Sequence, residues 1–269
     1  MSFADRKTLD LDQGRLSYRQ AGSGPDLVLL HGLAGNSRTW EEQAAAFSGS
    51  WCITAWDAPG YGESDTVAPN VDAYAAALAA LVDALDLPTF VLLGHSMGGV
   101  VAGRFAGSYP DRLRALALSC TLLGRRQPSG TPLSEPYLAR LNELETLPAR
   151  EYGARRAKSM AAADCAPEIL DRLTGIAAET RREGLAQAMR LIAEADNTAA
   201  LASLSLPVLV ITGAEDHTVT RELSDGLLAA LACGSAQVQT AVLPGVGHAP
   251  YLEDTAAYNA ALKSFLDGL

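Results

Sequence analysis

Six short apolar runs recur along the chain: DLVLLHG at 26–32, WCITAWD at 51–57, FVLLG at 90–94, LRALALSC at 113–120, PVLVITG at 207–213 and VQTAVLPG at 238–245. Apolar residues at successive positions suit strands buried on both faces of a parallel sheet. Helical patterns fall between them, at 71–86, 97–108, 221–232 and 254–268. Such alternation predicts an α/β fold, a mostly parallel, doubly wound sheet covered by helices on each side. Residues 7–22, KTLDLDQGRLSYRQAG, predict an antiparallel hairpin leading into that sheet.

The rhythm breaks once. Between Cys120 and Pro207 only helical stretches occur, among them SEPYLARLNELE, REYGARRAKSMAAA, APEILDRLTGIAAE and EGLAQAMRLIAEA, punctuated by Pro and Gly. The pattern predicts a helical insertion over 122–197, dividing a core made of 1–121 and 198–269. The insertion carries eleven basic and eleven acidic residues, whereas the rest of the chain has ten basic and twenty acidic. A neutral insertion thus interrupts an acidic body.

Composition narrows the picture little further. A chain of 269 residues, 48% hydrophobic and 19% charged, can bury a sizeable core and is too apolar to be disordered. Its formal net charge of -10 argues against a nucleic-acid surface and for solubility. No segment approaches the roughly 18 apolar residues of a membrane span, and the charged N-terminal stretch lacks the apolar core of a signal peptide, so a cytoplasmic protein is expected. Homo-oligomerisation is left open. The cysteines Cys52, Cys120, Cys165 and Cys233 are far apart, lack metal-site spacing and read as reduced packing residues.

The chemistry begins at Gly94-His95-Ser96-Met97-Gly98, a G-x-S-x-G motif that follows a predicted strand and opens a predicted helix. A turn this tight leaves no room for side chains two residues before and after the serine, hence the glycines. Ser96 would stand exposed at a helix N-terminus, where the dipole favours developing negative charge. A serine hydroxyl is a weak nucleophile and needs a base, itself oriented by an acid. His95 should point away from Ser96, His31 should brace a loop, and His217 sits beside a candidate acid. His248, in a glycine-rich loop after the last strand, can reach back over the strand ends. For the acid, GAEDH supplies Glu215 and Asp216 after the 207–213 strand, whereas the 113–120 strand is followed by no carboxylate.

Taken together, His31-Gly32, the run Asp57 to Ser64 (DAPGYGES), the Ser96 motif, Gly213-Ala-Glu-Asp216 and Gly247-His248 make the chain resemble the α/β-hydrolase superfamily over nearly its whole length. The resemblance implies the chain order Ser96, Asp216, His248, with Asp216 as the acid and the Leu33 and Met97 N–H groups as the oxyanion hole. It also implies that 122–197 caps the pocket, that the Asp57–Ser64 loop is structural, and that no cofactor or metal is needed. A serine at the elbow departs from the aspartate-nucleophile dehalogenases and epoxide hydrolases.

Among capped members the chain is similar to esterases and lactonases, including 3-oxoadipate enol-lactonases, and to hydrolases of aromatic ring-cleavage products. GHAPYLED lacks the tryptophan that the latter carry after the histidine, so an ester or lactone is expected ahead of carbon–carbon cleavage. A catalytically silent binding protein of the same fold is the third alternative. Seven basic residues against four glutamates over 122–160 suggest a substrate carboxylate, with Arg125 and Arg126, at the entry to the insertion, as its expected ligands.

Overall fold

The computed structural model describes residues 3 and 5–269; Met1, Ser2 and Ala4 of the charged N-terminal stretch lie outside the described residues. The strands are β1 (Lys7–Leu11), β2 (Gly14–Ala21), β3 (Asp26–Leu30), β4 (Cys52–Asp57), β5 (Phe90–His95), β6 (Leu113–Ser119), β7 (Val208–Gly213) and β8 (Val238–Leu243). They form an eight-stranded sheet in the order β1-β2-β4-β3-β5-β6-β7-β8. The β1–β2 and β2–β4 pairs are antiparallel and the other five are parallel.

The successive apolar positions are explained by burial on two faces. In β3, Val28 and Leu30 join a core with Leu92, Leu116, Val208 and α2 (Val71–Ala84) and α3 (Met97–Ser108), while Leu27 and Leu29 join a second with Val91, Leu93, Leu209 and Ile211. The second core is closed by α1 (Glu41–Phe47) and α11 (Thr255–Leu266). Between β6 and β7 lie α4 (Glu135–Thr146), α5 (Ala149–Met160), α6 (Pro167–Ala177), α7 (Arg182–Glu194) and the short α8 (Thr198–Ala202). α9 (Arg221–Leu231) connects β7 to β8, and α10 (Pro250–Glu253) precedes α11.

The helical insertion is seated on the sheet's loops through backbone contact. A Cβ on Gly60 would lie 2.5 Å from the Gly184 Cα of α7, so only two glycines permit this approach. No helix among the described residues is long and apolar enough to cross a membrane. All four cysteines are free. Cys120 is buried as expected, Cys52 and Cys165 are half-buried, and Cys233 is exposed near the C-terminal end of α9 and packs into no core.

Candidate active site

The parallel strands β3, β5, β6 and β7 end on the same side of the sheet, and their following loops, with the loop after β8, carry the candidate residues. Ser96 joins β5 to α3 with φ 53° and ψ −117°, a conformation an L-residue adopts only when its surroundings enforce it. Here they do. A Cβ at Gly94 would sit 2.3 Å from the Gly98 carbonyl oxygen, and one at Gly98 would sit 2.3 Å from that of Leu30. The Ser96 N–H donates to Ser119 O at 2.9 Å, and its own carbonyl accepts from Thr121 Oγ1 at 2.6 Å.

Ser96 Oγ lies 3.0 Å from His248 Nε2, and His248 Nδ1 lies 2.8 Å from Asp216 Oδ2. Asp216 Oδ1 accepts the Thr218 and Val219 N–H groups at 2.8 and 2.9 Å. Burial alone would raise this carboxyl, but the bond from His248 and those two N–H groups hold it below its ordinary value. A charged Asp216 can only accept, so His248 donates from Nδ1 and turns Nε2 toward the serine hydroxyl. Glu215 is exposed, one residue from the acid that His248 meets, and His217 is exposed as well.

The other two histidines are buried and serve differently. His95 points to Ser119 Oγ at 3.4 Å and packs against the tilted His248 ring and edge-to-face against Tyr251, both at 4.9 Å between ring centroids. Burial pushes it well below the ordinary histidine range. His31 accepts the Ala58 N–H on Nε2 at 3.0 Å, so Nδ1 carries the proton and donates to Gly32 O at 2.8 Å. It thereby braces two loops, the role its position in the sequence suggested.

The turn that His31 holds is Gly32–Gly35, closed by Gly35 N–H to Gly32 O at 3.1 Å, with Ala34 at φ 57°. A Cβ on Gly32 would be 3.0 Å from the Ser96 Cβ, so this backbone passes directly beside the serine. The Leu33 N–H makes no hydrogen bond among the described residues, and that of Met97, first in α3, has no intrahelical acceptor. Asp57 is fully buried, bound by Ser17 Oγ at 2.6 Å, Ser37 N–H at 2.7 Å and Arg6 Nε at 2.8 Å.

Arg125 and Arg126 are both exposed, their backbone N–H groups bonded to Ile192 O and Ala195 O at the C-terminal end of α7, and no hydrogen bond or ion pair links either to Ser96, Asp216 or His248 among the described residues. After β6 the chain stays buried or half-buried through Gly124 and is largely exposed from Arg125 to the start of α4. Two of the other arginines of the insertion have a buried Nε, and charge counting alone does not separate them from the rest. Arg140 and Arg156 each bury an Nε without a hydrogen-bond partner among the described residues, as does the Tyr152 hydroxyl. Arg156 caps the Tyr152 ring at 5.7 Å and pairs with Glu143 at 2.8 Å. Tyr152 packs with Leu141, Leu185 and Met189 in a small cluster that Leu33 also joins, so this cluster abuts the turn beside Ser96.

The single group of side chains with metal-ligand geometry among the described residues is Cys120, Asp216 and His248, whose atoms lie within 4.8 Å of one another. Burial and then the Asp216 charge push the Cys120 thiol well up.

Residues 27–261 match the model of the Alpha/beta hydrolase family. The chain belongs to that family. As an alpha/beta hydrolase it is 28% identical over 273 residues to 3-oxoadipate enol-lactonase 2 of Acinetobacter baylyi, covering 98% of this chain and 97% of that protein. It is also 28% identical over 256 residues to the pimeloyl-[acyl-carrier protein] methyl ester esterase of Vibrio parahaemolyticus, covering 93% and 97%. The fold superposes on the enol-lactonase of Burkholderia xenovorans LB400 with a TM-score of 0.84 at 23% identity, covering 97% of this chain and 100% of that one.

Proposed function

We propose that this hydrolase-family protein is a cofactor-free serine hydrolase cleaving a small carboxylic ester or lactone through an acyl-enzyme on Ser96. The observation that carries this is the unbroken hydrogen-bonded path from Ser96 Oγ through His248 to Asp216, at 3.0 and 2.8 Å, on a strained turn. His248 Nε2 takes the serine proton as Oγ attacks the carbonyl carbon, and Asp216 stabilises the imidazolium. The Leu33 and Met97 N–H groups receive the oxyanion. His248 then gives its proton to the leaving oxygen, and water deprotonated by the same nitrogen releases the acid. Residues 122–197 act as the cap and 1–121 with 198–269 as the core. The names of the enol-lactonase and esterase relatives agree with this bond type.

The substrate we assign bears a carboxylate, held by Arg140 and Arg156 rather than by Arg125 and Arg126. The buried Nε donors of Arg140 and Arg156, without hydrogen-bond partners among the described residues, support this, the latter lying over the Tyr152 ring of the cluster that Leu33 joins, because a buried guanidinium donor left unsatisfied costs stability until an anion accepts from it. Hydrolysis of p-nitrophenyl acetate by wild type, Ser96→Ala and His248→Ala tests the chemistry. A loss of about 10⁴-fold in each variant is expected, and near-wild-type turnover in either refutes the proposal.

A further inference from the structure

His248 is held from behind as well as from the side. Its backbone N–H donates to Met160 O, the last residue of α5, at 2.7 Å. The flanking N–H groups of Gly247 and Ala249 donate to the Glu253 carboxylate at 3.1 and 2.9 Å. That carboxylate also accepts the N–H of Ala162, in the loop leaving α5, at 2.7 Å. Glycine is required at 247 for this contact: a Cβ there would lie 2.6 Å from Ala162 N and 2.7 Å from Met160 O. Capping of the four-residue α10 accounts for the bonds to Gly247 and Ala249 but not for the bond to Ala162, which comes from the other side of β7 in the sequence.

We infer that Glu253 is a positioning residue for His248, joining the histidine loop to the insertion so that the general base and the α5 rim move as one body. This rests on the serine-hydrolase reading above. Three N–H groups converge on one carboxylate, so both oxygens must be acceptors. Glutamine would turn an NH₂ toward one of these donors and release at least one strand of the link. A loosened imidazole keeps its chemistry and loses its aim on Ser96 Oγ, and a displacement of an ångström suffices to slow turnover.

The test is kcat, KM and thermal unfolding with p-nitrophenyl acetate for wild type, Glu253→Gln, Ala162→Pro, Asp216→Asn and the Asp216→Asn/Glu253→Gln double variant. Ala162→Pro deletes only the N–H from the insertion, and Ala161 before it is already extended at ψ 157°, as proline demands. We expect Glu253→Gln to lower kcat about tenfold with KM changed less than about twofold. Ala162→Pro should lower kcat severalfold. Because Asp216 also acts through His248, Glu253→Gln should cost less than about twofold in the Asp216→Asn background. Full kcat in folded Glu253→Gln, or a tenfold loss repeated undiminished on Asp216→Asn, overturns the inference. If Glu253→Gln fails to fold, full kcat in Ala162→Pro overturns it. Wild-type turnover in Asp216→Asn would instead refute the triad itself, and this inference with it.

Discussion

Asp57 and Asp216 are the same residue type at equivalent places, one at the end of β4 and one three residues beyond β7, both buried and both beside a histidine. Their surroundings differ in one respect. Asp57 is saturated by Ser17, Ser37 and Arg6, and its neighbour His31 has both ring nitrogens bonded to backbone. Asp216 spends one oxygen on the Thr218 and Val219 N–H groups and the other on His248, whose far nitrogen ends on a serine hydroxyl. Charge and burial are alike in the two networks, and what differs is the last donor: the Ala58 backbone N–H at His31 Nε2, and the Ser96 hydroxyl at His248 Nε2.

Exchanging the two carboxylates for amides gives the largest contrast. Asp216→Asn should lower kcat by about 10²- to 10⁴-fold with little change in Tm, since the amide favours the wrong histidine tautomer; Glu215→Gln should stay within about twofold of wild type. Asp57→Asn should do the reverse, costing about 3 kcal/mol of stability by leaving Arg6 and buried donors short of a charged acceptor. Steady-state kinetics and urea unfolding on the same preparations check both, and a catalytic defect in Asp57→Asn at full folding would erase the distinction. In substrate choice, Arg140→Ala should lower kcat/KM for a carboxylate-bearing ester about tenfold relative to its neutral analogue, while Arg125→Ala and Arg126→Ala leave that ratio unchanged.

The smallest effect lies in pH. Burial holds His31 and His95 below the ordinary histidine value, so the unfolded chain binds more protons as pH falls beneath about 6.5. Their stabilisation is present above that value and is lost as pH drops toward their folded values. Asp57 and Asp216, held below the ordinary carboxyl value, add a further loss only below about pH 4. The expected Tm profile therefore declines in two stages, and His95→Gln should flatten the upper one. A Tm constant from pH 7 to 5 would contradict it.

Much of this was legible in the chain because it depends on local chemistry. Gly94 and Gly98 announced the elbow, since only glycine tolerates backbone oxygens at 2.3 Å, and apolar residues at successive positions announced the parallel strands by filling two cores. The burial of the arginines was not legible: Arg125 and Arg140 look alike in sequence, and that the first is exposed while the second buries its Nε is set by long-range packing. Glu253 escaped notice for the same reason, because its third donor, Ala162, is 91 residues away. The short helices α1, α8 and α10 carry too few turns for a period to show.

The central claim, that the Asp216–His248 network activates Ser96, is tested most directly by covalent labelling. Wild type, Ser96→Ala, His248→Ala and Asp57→Asn would be treated with a fluorophosphonate and the intact masses measured. The account predicts one adduct per chain on Ser96 in wild type and in folded Asp57→Asn, none in Ser96→Ala, and labelling slowed by orders of magnitude in His248→Ala. An adduct formed at the wild-type rate in His248→Ala, or one located on another residue, would contradict it.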